Sequence, residues 1–76
     1  MKSCLNTRME IAFYNVIDHR CDRMEELGLS AERTCINLRG YTERFINGHE
    51  MSESKKEELR DFTETICRII SNPPNL

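Results

Sequence analysis

Cysteine and histidine are the residues of this chain best suited to metal binding, redox chemistry or catalysis. The four cysteines lie far apart and form no Cys-X-X-Cys pair: Cys4, Cys21, Cys35 and Cys67. Structural zinc sites need closely spaced ligands, and stable disulfides need an oxidising compartment. We therefore predict reduced thiols that contribute to packing, and neither a metal nor another cofactor.

Catalytic signatures are absent from the sequence. His19 and His49 have no cysteine or carboxylate partner in a catalytic arrangement. The chain has no phosphate-binding glycine loop, no His-Glu-X-X-His motif and no nucleophile elbow. A small helical protein also leaves little room for a ligand pocket, which is usually at least about 300 Å³ in volume. The sequence predicts a protein that is not an enzyme.

The length and charge of the chain exclude several other classes. Seventy-six residues make one domain with a thin core. Thirteen acidic and eleven basic residues give a net charge of −2, unlike proteins held to nucleic acid mainly by phosphate contacts. No apolar run is long enough for a membrane span or a signal peptide. We expect a cytoplasmic protein with no membrane contact.

Three helices are predicted in this single domain, which spans residues 1–76. Their expected ranges are 8–27, 31–47 and 53–71, with loose ends at 1–6 and 72–76. Prolines at positions 73 and 74 should end the third helix, because the residue before a proline does not easily stay helical.

Residues that cap helices support these ranges. Thr7 and Glu10 have the spacing of a capping box. Gly28 and Gly48 fit the left-handed position that follows a helix. Serines are the expected N-caps of the other helices: Ser30 for the second, and Ser52 or Ser54 for the third.

Apolar residues recur at intervals of three and four in each helix, so that each has one core-facing stripe. The predicted core residues are Met9, Phe13, Val16, Ile17, Met24 and Leu27, then Ala31, Cys35, Leu38, Tyr41 and Phe45, then Leu59, Phe62, Ile66, Ile69 and Ile70. No segment alternates with period two, so no sheet is expected. The predicted fold class is all-α: a small three-helix unit, either a bundle or an open helical array.

Arg20 interrupts the apolar stripe of the first helix. One interpretation pairs it with a carboxylate on a neighbouring helix, while its aliphatic stem covers apolar surface. The other makes Arg20 a polar anchor in the interface with a partner.

The opposite face of the first helix has an unusual composition. Its residues, at spacings of three and four, are Ile11, Tyr14, Asp18, Asp22 and Glu25. The acidic residues repel one another and crowd the negative end of the helix dipole. A solvated face with an incidental tyrosine is one interpretation. The other is a docking surface for a protein partner with a basic surface.

The second helix offers an alternative function. Arg33, Asn37, Gly40 and Arg44 are predicted to form one stripe opposite its core face. Arginine and asparagine side chains can recognise base edges in DNA. The order apolar, Gly, apolar, Ser in residues 27–30 resembles the turn of a helix-turn-helix motif. The alternative function is a helix-turn-helix-like DNA-binding regulator that uses Arg33, Asn37 and Arg44.

The preferred hypothesis is a small cytosolic interaction protein that regulates or inhibits a larger macromolecule by docking on its surface. Small regulators of bacterial, plasmid or phage type have this character. A third possibility is a structural subunit or assembly chaperone whose exposed face is covered in a permanent complex. Nucleic acid is the less favoured partner.

Self-association is also predicted, because a core of this size leaves apolar surface uncovered. We expect the native mass at micromolar concentration to be that of a homodimer. Sedimentation equilibrium measures it, and a monomer throughout that concentration range would contradict the prediction.

Overall fold

The computed structural model describes residues 2–72 and forms three helices from them. These are α1 (Thr7–Glu26), α2 (Ala31–Gly48) and α3 (Glu53–Ser71), joined by short links. The predicted all-α three-helix unit is therefore confirmed. The predicted roles of Pro73 and Pro74, and most of the predicted loose end 72–76, lie outside the described residues.

The N-cap of α1 differs from the prediction. Asn6, not Thr7, is the capping residue, and its side-chain oxygen accepts a hydrogen bond from the Met9 amide at 3.0 Å. Asn6 is extended, whereas Thr7 is already helical, so α1 begins one residue early. The other two predicted caps are present: Ser30 accepts from the Arg33 amide at 3.2 Å, and Ser52 accepts from the Lys55 amide at 3.1 Å.

The two glycines expected to follow helices behave differently. Gly28 has a φ of +73° and turns the chain after α1, as predicted. Gly48 is the last residue of α2 and has no positive φ, so its predicted capping role is wrong. The chain passes from Gly48 directly into extended structure at His49.

The N-terminal segment is not loose, and the expectation of no sheet is wrong. Strand β1 (Ser3–Cys4) pairs in parallel with β2 (His49–Glu50). The Leu5 amide extends this pairing by donating to the Glu50 carbonyl at 2.9 Å. Two-residue strands are too short for a periodic pattern to reveal them. Their pairing attaches the start of the chain to the link between α2 and α3.

The core is built around Phe13, at the point where the three helices meet. Its buried apolar cluster consists of Phe13, Ile17, Leu38, Ile46 and Leu59. Rings from all three helices surround Phe13, with Phe45 at 4.9 Å and Phe62 at 6.5 Å between ring centroids. The apolar stripes thus identify the core-facing side of each helix.

Several individual assignments to the core are wrong. Leu27 and Ile69 are 60% and 55% exposed. Buried residues that the apolar pattern missed are Ile46, Cys67 and three threonines: Thr34, Thr42 and Thr63. The threonines tolerate burial because each hydroxyl lies within hydrogen-bond distance of the backbone carbonyl four residues earlier, and Thr42 and Thr63 also contact each other.

The interface between α2 and α3 is the most extensive in the fold. Two bidentate ion pairs flank it, Arg39 with Glu64 and Arg60 with Glu43, at 2.7–2.9 Å. The arginines lower the pKa of both carboxyl groups, so the pairs stabilise the fold above the ordinary carboxyl pKa and weaken as the pH falls below it. The paired side chains are about half exposed, so solvent screens their attraction and each pair contributes little to stability.

A buried hydroxyl pair joins α2 to α3 inside these ion pairs. Thr42 Oγ1 and Thr63 Oγ1 lie 2.6 Å apart. Only one hydroxyl can donate across the interface, and the other then donates to its own helix. Because valine has the same shape without the hydroxyl, Thr63→Val or Thr42→Val should each lower the free energy of unfolding by about 1 kcal/mol. The double variant should lose less than the sum.

Urea denaturation of the singles and the double measures this coupling. Thr65→Val is the control, because Thr65 makes the same carbonyl contact within α3 but is exposed. Strictly additive losses would show that the two hydroxyls do not interact.

Candidate docking surface

The predicted acidic residues of α1 lie together on its exposed side. Asp18, Asp22 and Glu25, here called the acidic strip, are all exposed on the C-terminal half of the helix. No ion pair within residues 2–72 includes any of them, whereas Glu10, farther back on the helix, pairs with Lys55 at 2.7 Å. The strip therefore stays electrostatically uncompensated at the negative end of the α1 dipole.

In addition to burial, the acidic strip raises the pKa of the neighbouring Cys21 thiol. Burial raises the pKa of its thiol, and the negative charges of Asp22, Glu25 and Asp18 raise it further. Cys21 is half-buried and lies on the side of α1 that turns toward α3. The negative field of the strip consequently extends to that side of the helix.

Tyr14 is not an exposed anchor, and the expectation that it faces away from the core is wrong. Its ring packs edge-on against Phe62 at 4.7 Å and against Phe13 at 5.6 Å. The hydroxyl donates to Glu10 at 3.3 Å, and burial together with the Glu10 charge raises the Tyr14 pKa. Ile11, by contrast, is 54% exposed, as predicted. The outer face of α1 thus offers Ile11 and the acidic strip, without the tyrosine.

Arg20 pairs with an amide and an aromatic ring, where a carboxylate was expected. Its Nη1 donates to Asn37 Oδ1 at 3.0 Å, and its guanidinium lies 4.7 Å from the centre of the Tyr41 ring. Both partners belong to α2, so Arg20 joins α1 to α2. The hypothesis that it anchors a partner remains a prediction.

The predicted DNA-binding residues lie on one side of α2, but one of them is already engaged within the chain. Arg33 and Arg44 are exposed on the outer side, but Asn37 is half-buried and accepts from Arg20. Gly40 leaves space beside the Arg44 guanidinium, which would be 3.4 Å from an added Cβ. The outer side of α2 therefore carries two arginines around a glycine, while Asn37 is directed toward α1.

An open groove that sequence reasoning missed adjoins the acidic strip. It has a volume of about 370 Å³ and lies between the C-terminal ends of α1 and α3 and the start of α2. The residues that line this apolar groove are Cys21, Glu25, Leu29, Ala31, Thr34, Ile69 and Ile70. One signal was available, because Ile69 and Ile70 are consecutive and two adjacent helical residues cannot both face the same core.

The cysteines of the chain do not assemble a metal centre. Residues 2–72 contain no group of three or more His, Cys, Asp and Glu side chains placed to hold a metal ion. Cys35 and Cys67 are buried between α2 and α3, where burial and the neighbouring Cys35 raise the pKa of Cys67 to about 12. Cys67 is therefore a protonated thiol at neutral pH.

Comparisons with protein-family models, with curated proteins and with solved structures find no match to this chain. None of the helices in the described part has both the length and the apolar character needed to cross a membrane.

The packing of Tyr14 leads to a stability prediction. Tyr14→Ala removes ring contacts with Phe62 and Phe13, so it should lower the free energy of unfolding by about 2 kcal/mol. Tyr14→Phe keeps the ring and loses one hydrogen bond, and should cost less than about 1 kcal/mol. Ile11→Ala, at the exposed apolar position of the same helix, is the control. An unchanged urea midpoint for Tyr14→Ala would show that the ring is not part of the core.

Proposed function

We propose that this chain is a small, non-catalytic interaction protein that regulates or inhibits a larger macromolecule by docking on its surface. The docking surface comprises the acidic strip and Ile11 on the outer side of α1. Its partner is a protein with a basic surface. Four cysteines with no disulfide in the described part suit the reducing conditions of the cytoplasm, where we place this activity.

One observation carries this proposal: within residues 2–72, no ion pair includes a member of the acidic strip. Several acidic side chains elsewhere pair with arginine or lysine, including Glu43, Glu64 and Glu10. Asp18, Asp22 and Glu25 repel one another and the helix dipole, so their placement costs a few tenths of a kcal/mol each. A basic partner would remove this repulsion, and charged patches of this kind mainly accelerate association and select partners.

A second candidate is a DNA-binding regulator that works through α2. The observation that favours it is the exposure of Arg33 and Arg44 on one side of that helix, outside every ion pair within residues 2–72. Since Asn37 is engaged by Arg20, this surface would offer two arginines to nucleic acid. Such contacts supply affinity for phosphates more readily than base recognition.

Affinity capture from native lysate, with and without nuclease, separates the two candidates. The bait is the full chain, compared with Asp18→Lys/Asp22→Lys and with Arg33→Ala/Arg44→Ala. Charge reversal near the C-terminal end of α1 favours the helix dipole, so the first variant should stay folded. We expect a captured protein to survive nuclease and to be reduced at least about tenfold by the α1 variant alone.

Glu57→Lys/Asp61→Lys is the matched control, because it makes the same charge change on exposed residues of α3. Equal loss with this control would mean that only net charge matters. Capture that disappears with nuclease and with the α2 variant would replace the proposal by the DNA-binding one. In that case, the slope of the logarithm of the binding constant against the logarithm of the salt concentration should decrease in magnitude by about 0.9 for each phosphate contact removed.

A further inference from the structure

The apolar groove is a gap between two helices that separate toward their C-terminal ends. In their N-terminal halves α1 and α3 are joined by the Tyr14–Phe62 ring contact and the Glu10–Lys55 ion pair. Beyond these contacts, Cys21 and Glu25 of α1 face Ile69 and Ile70 of α3 across open space. Within residues 2–72 nothing covers this groove, and Ile69 remains 55% exposed.

The chemistry of the groove is amphipathic. Leu29, Ala31, Ile69 and Ile70 give it apolar walls, and no basic residue lines it. Glu25 lines the groove and is also a member of the acidic strip. The edge of the groove formed by α1 is therefore negatively charged, and Asp22 and Asp18 extend this charge along the helix. An occupant must therefore bury an apolar side chain and present positive charge on one side.

We propose that the apolar groove binds a basic amphipathic helix of the partner, which inserts an apolar side chain between Leu29 and Ile69 and places lysines or arginines against the acidic strip. This inference rests on the proposed function and specifies its partner. Members of the strip are separated by three or four residues, which is one helical turn of about 5.4 Å. Lysines at the same spacing on a second helix match them turn by turn.

Packing geometry also favours a helix as the occupant. A helix laid between α1 and α3 would extend the three-helix unit toward a four-helix bundle, in which neighbouring helices share one core. Amphipathic helices commonly bind apolar grooves in this way, through anchors spaced three and four residues apart. An extended segment would leave its own backbone groups unpaired beside helices that have no free sheet edge.

A second copy of the chain is a weaker candidate occupant. The outer side of α2 carries the basic Arg33 and the 62% exposed Ile36, which complement the negative charge and the apolar walls of the groove. However, that side is on the opposite side of α2 from Ala31 and Thr34, which line the groove. A copy docked in this way would bind head to tail and would not close as a symmetric dimer.

The test is an NMR titration of the full chain with a model peptide of about 18 residues made only of leucine and lysine in an amphipathic helical pattern. A matched peptide carries glutamate at every lysine position. We expect the lysine peptide to shift the amide signals of residues at the groove, above all Glu25, Leu29 and Ile69. Its affinity should exceed that of the glutamate peptide at least about tenfold and fall with added salt.

Two substitutions and two matched controls locate the binding. Ile69→Lys and Glu25→Lys should each weaken lysine-peptide binding at least about tenfold. Ile36→Lys changes an equally exposed isoleucine on α2, and Glu57→Lys makes the same charge change about 18 Å along α3 from Ile69. Both controls should bind within about twofold of the parent chain. If Ile69→Lys loses its fold by circular dichroism, the exposed Glu25→Lys and the shifts of the parent chain still decide the outcome.

The inference is overturned if the two peptides bind equally, if the shifts map away from the groove, or if the control substitutions weaken binding as much as Ile69→Lys. Self-association abolished by both Ile69→Lys and Ile36→Lys would identify a second copy as the occupant and would also overturn it. A captured protein that depends on Asp18 and Asp22 but not on Ile69 would leave the proposed function intact and disprove only the groove.

Discussion

All five aromatic rings of this protein meet at Phe13, and the rest of the structure depends on that contact. The ring of Phe13 lies 4.9–6.5 Å from the other four rings, which belong to Tyr14, Tyr41, Phe45 and Phe62. Aromatic side chains bury more apolar area than any others, and their edge-on contacts add to it. The cluster therefore determines where the N-terminal halves of α1 and α3 and the C-terminal half of α2 pack together.

Concentrating the aromatic residues at one end leaves the other end with smaller side chains. At that end, the buried residues between α2 and α3 are the small side chains of Cys35 and Cys67. The apolar groove opens there between α1 and α3. A chain this short cannot fill both ends of three helices. Because too few large apolar side chains remain for this end, Leu29, Ile69 and the C-terminal half of α1 stay exposed.

The distribution of charge follows the same division. Between α2 and α3, acidic side chains are matched by arginines, and Lys55 links α3 to Glu10 of α1. The acidic strip lies on the part of α1 beyond its contacts with α3, and within residues 2–72 no ion pair includes it. Apolar surface and uncompensated negative charge thus occur together, and this coincidence is the physical basis for proposing a basic, amphipathic partner.

Local signals in the sequence determined the three helices, two of their three N-caps, the turn at Gly28 and the apolar stripe of each helix. These depend on residues within one or two turns of each other, so no knowledge of the fold is needed. Only the tertiary structure decided which of Ile69 and Ile70 is exposed, which side of α1 holds Tyr14, and that Asn37 binds Arg20. It alone revealed the pairing of β1 with β2. Each of these depends on where a distant segment lies, and helix periodicity carries no information about that.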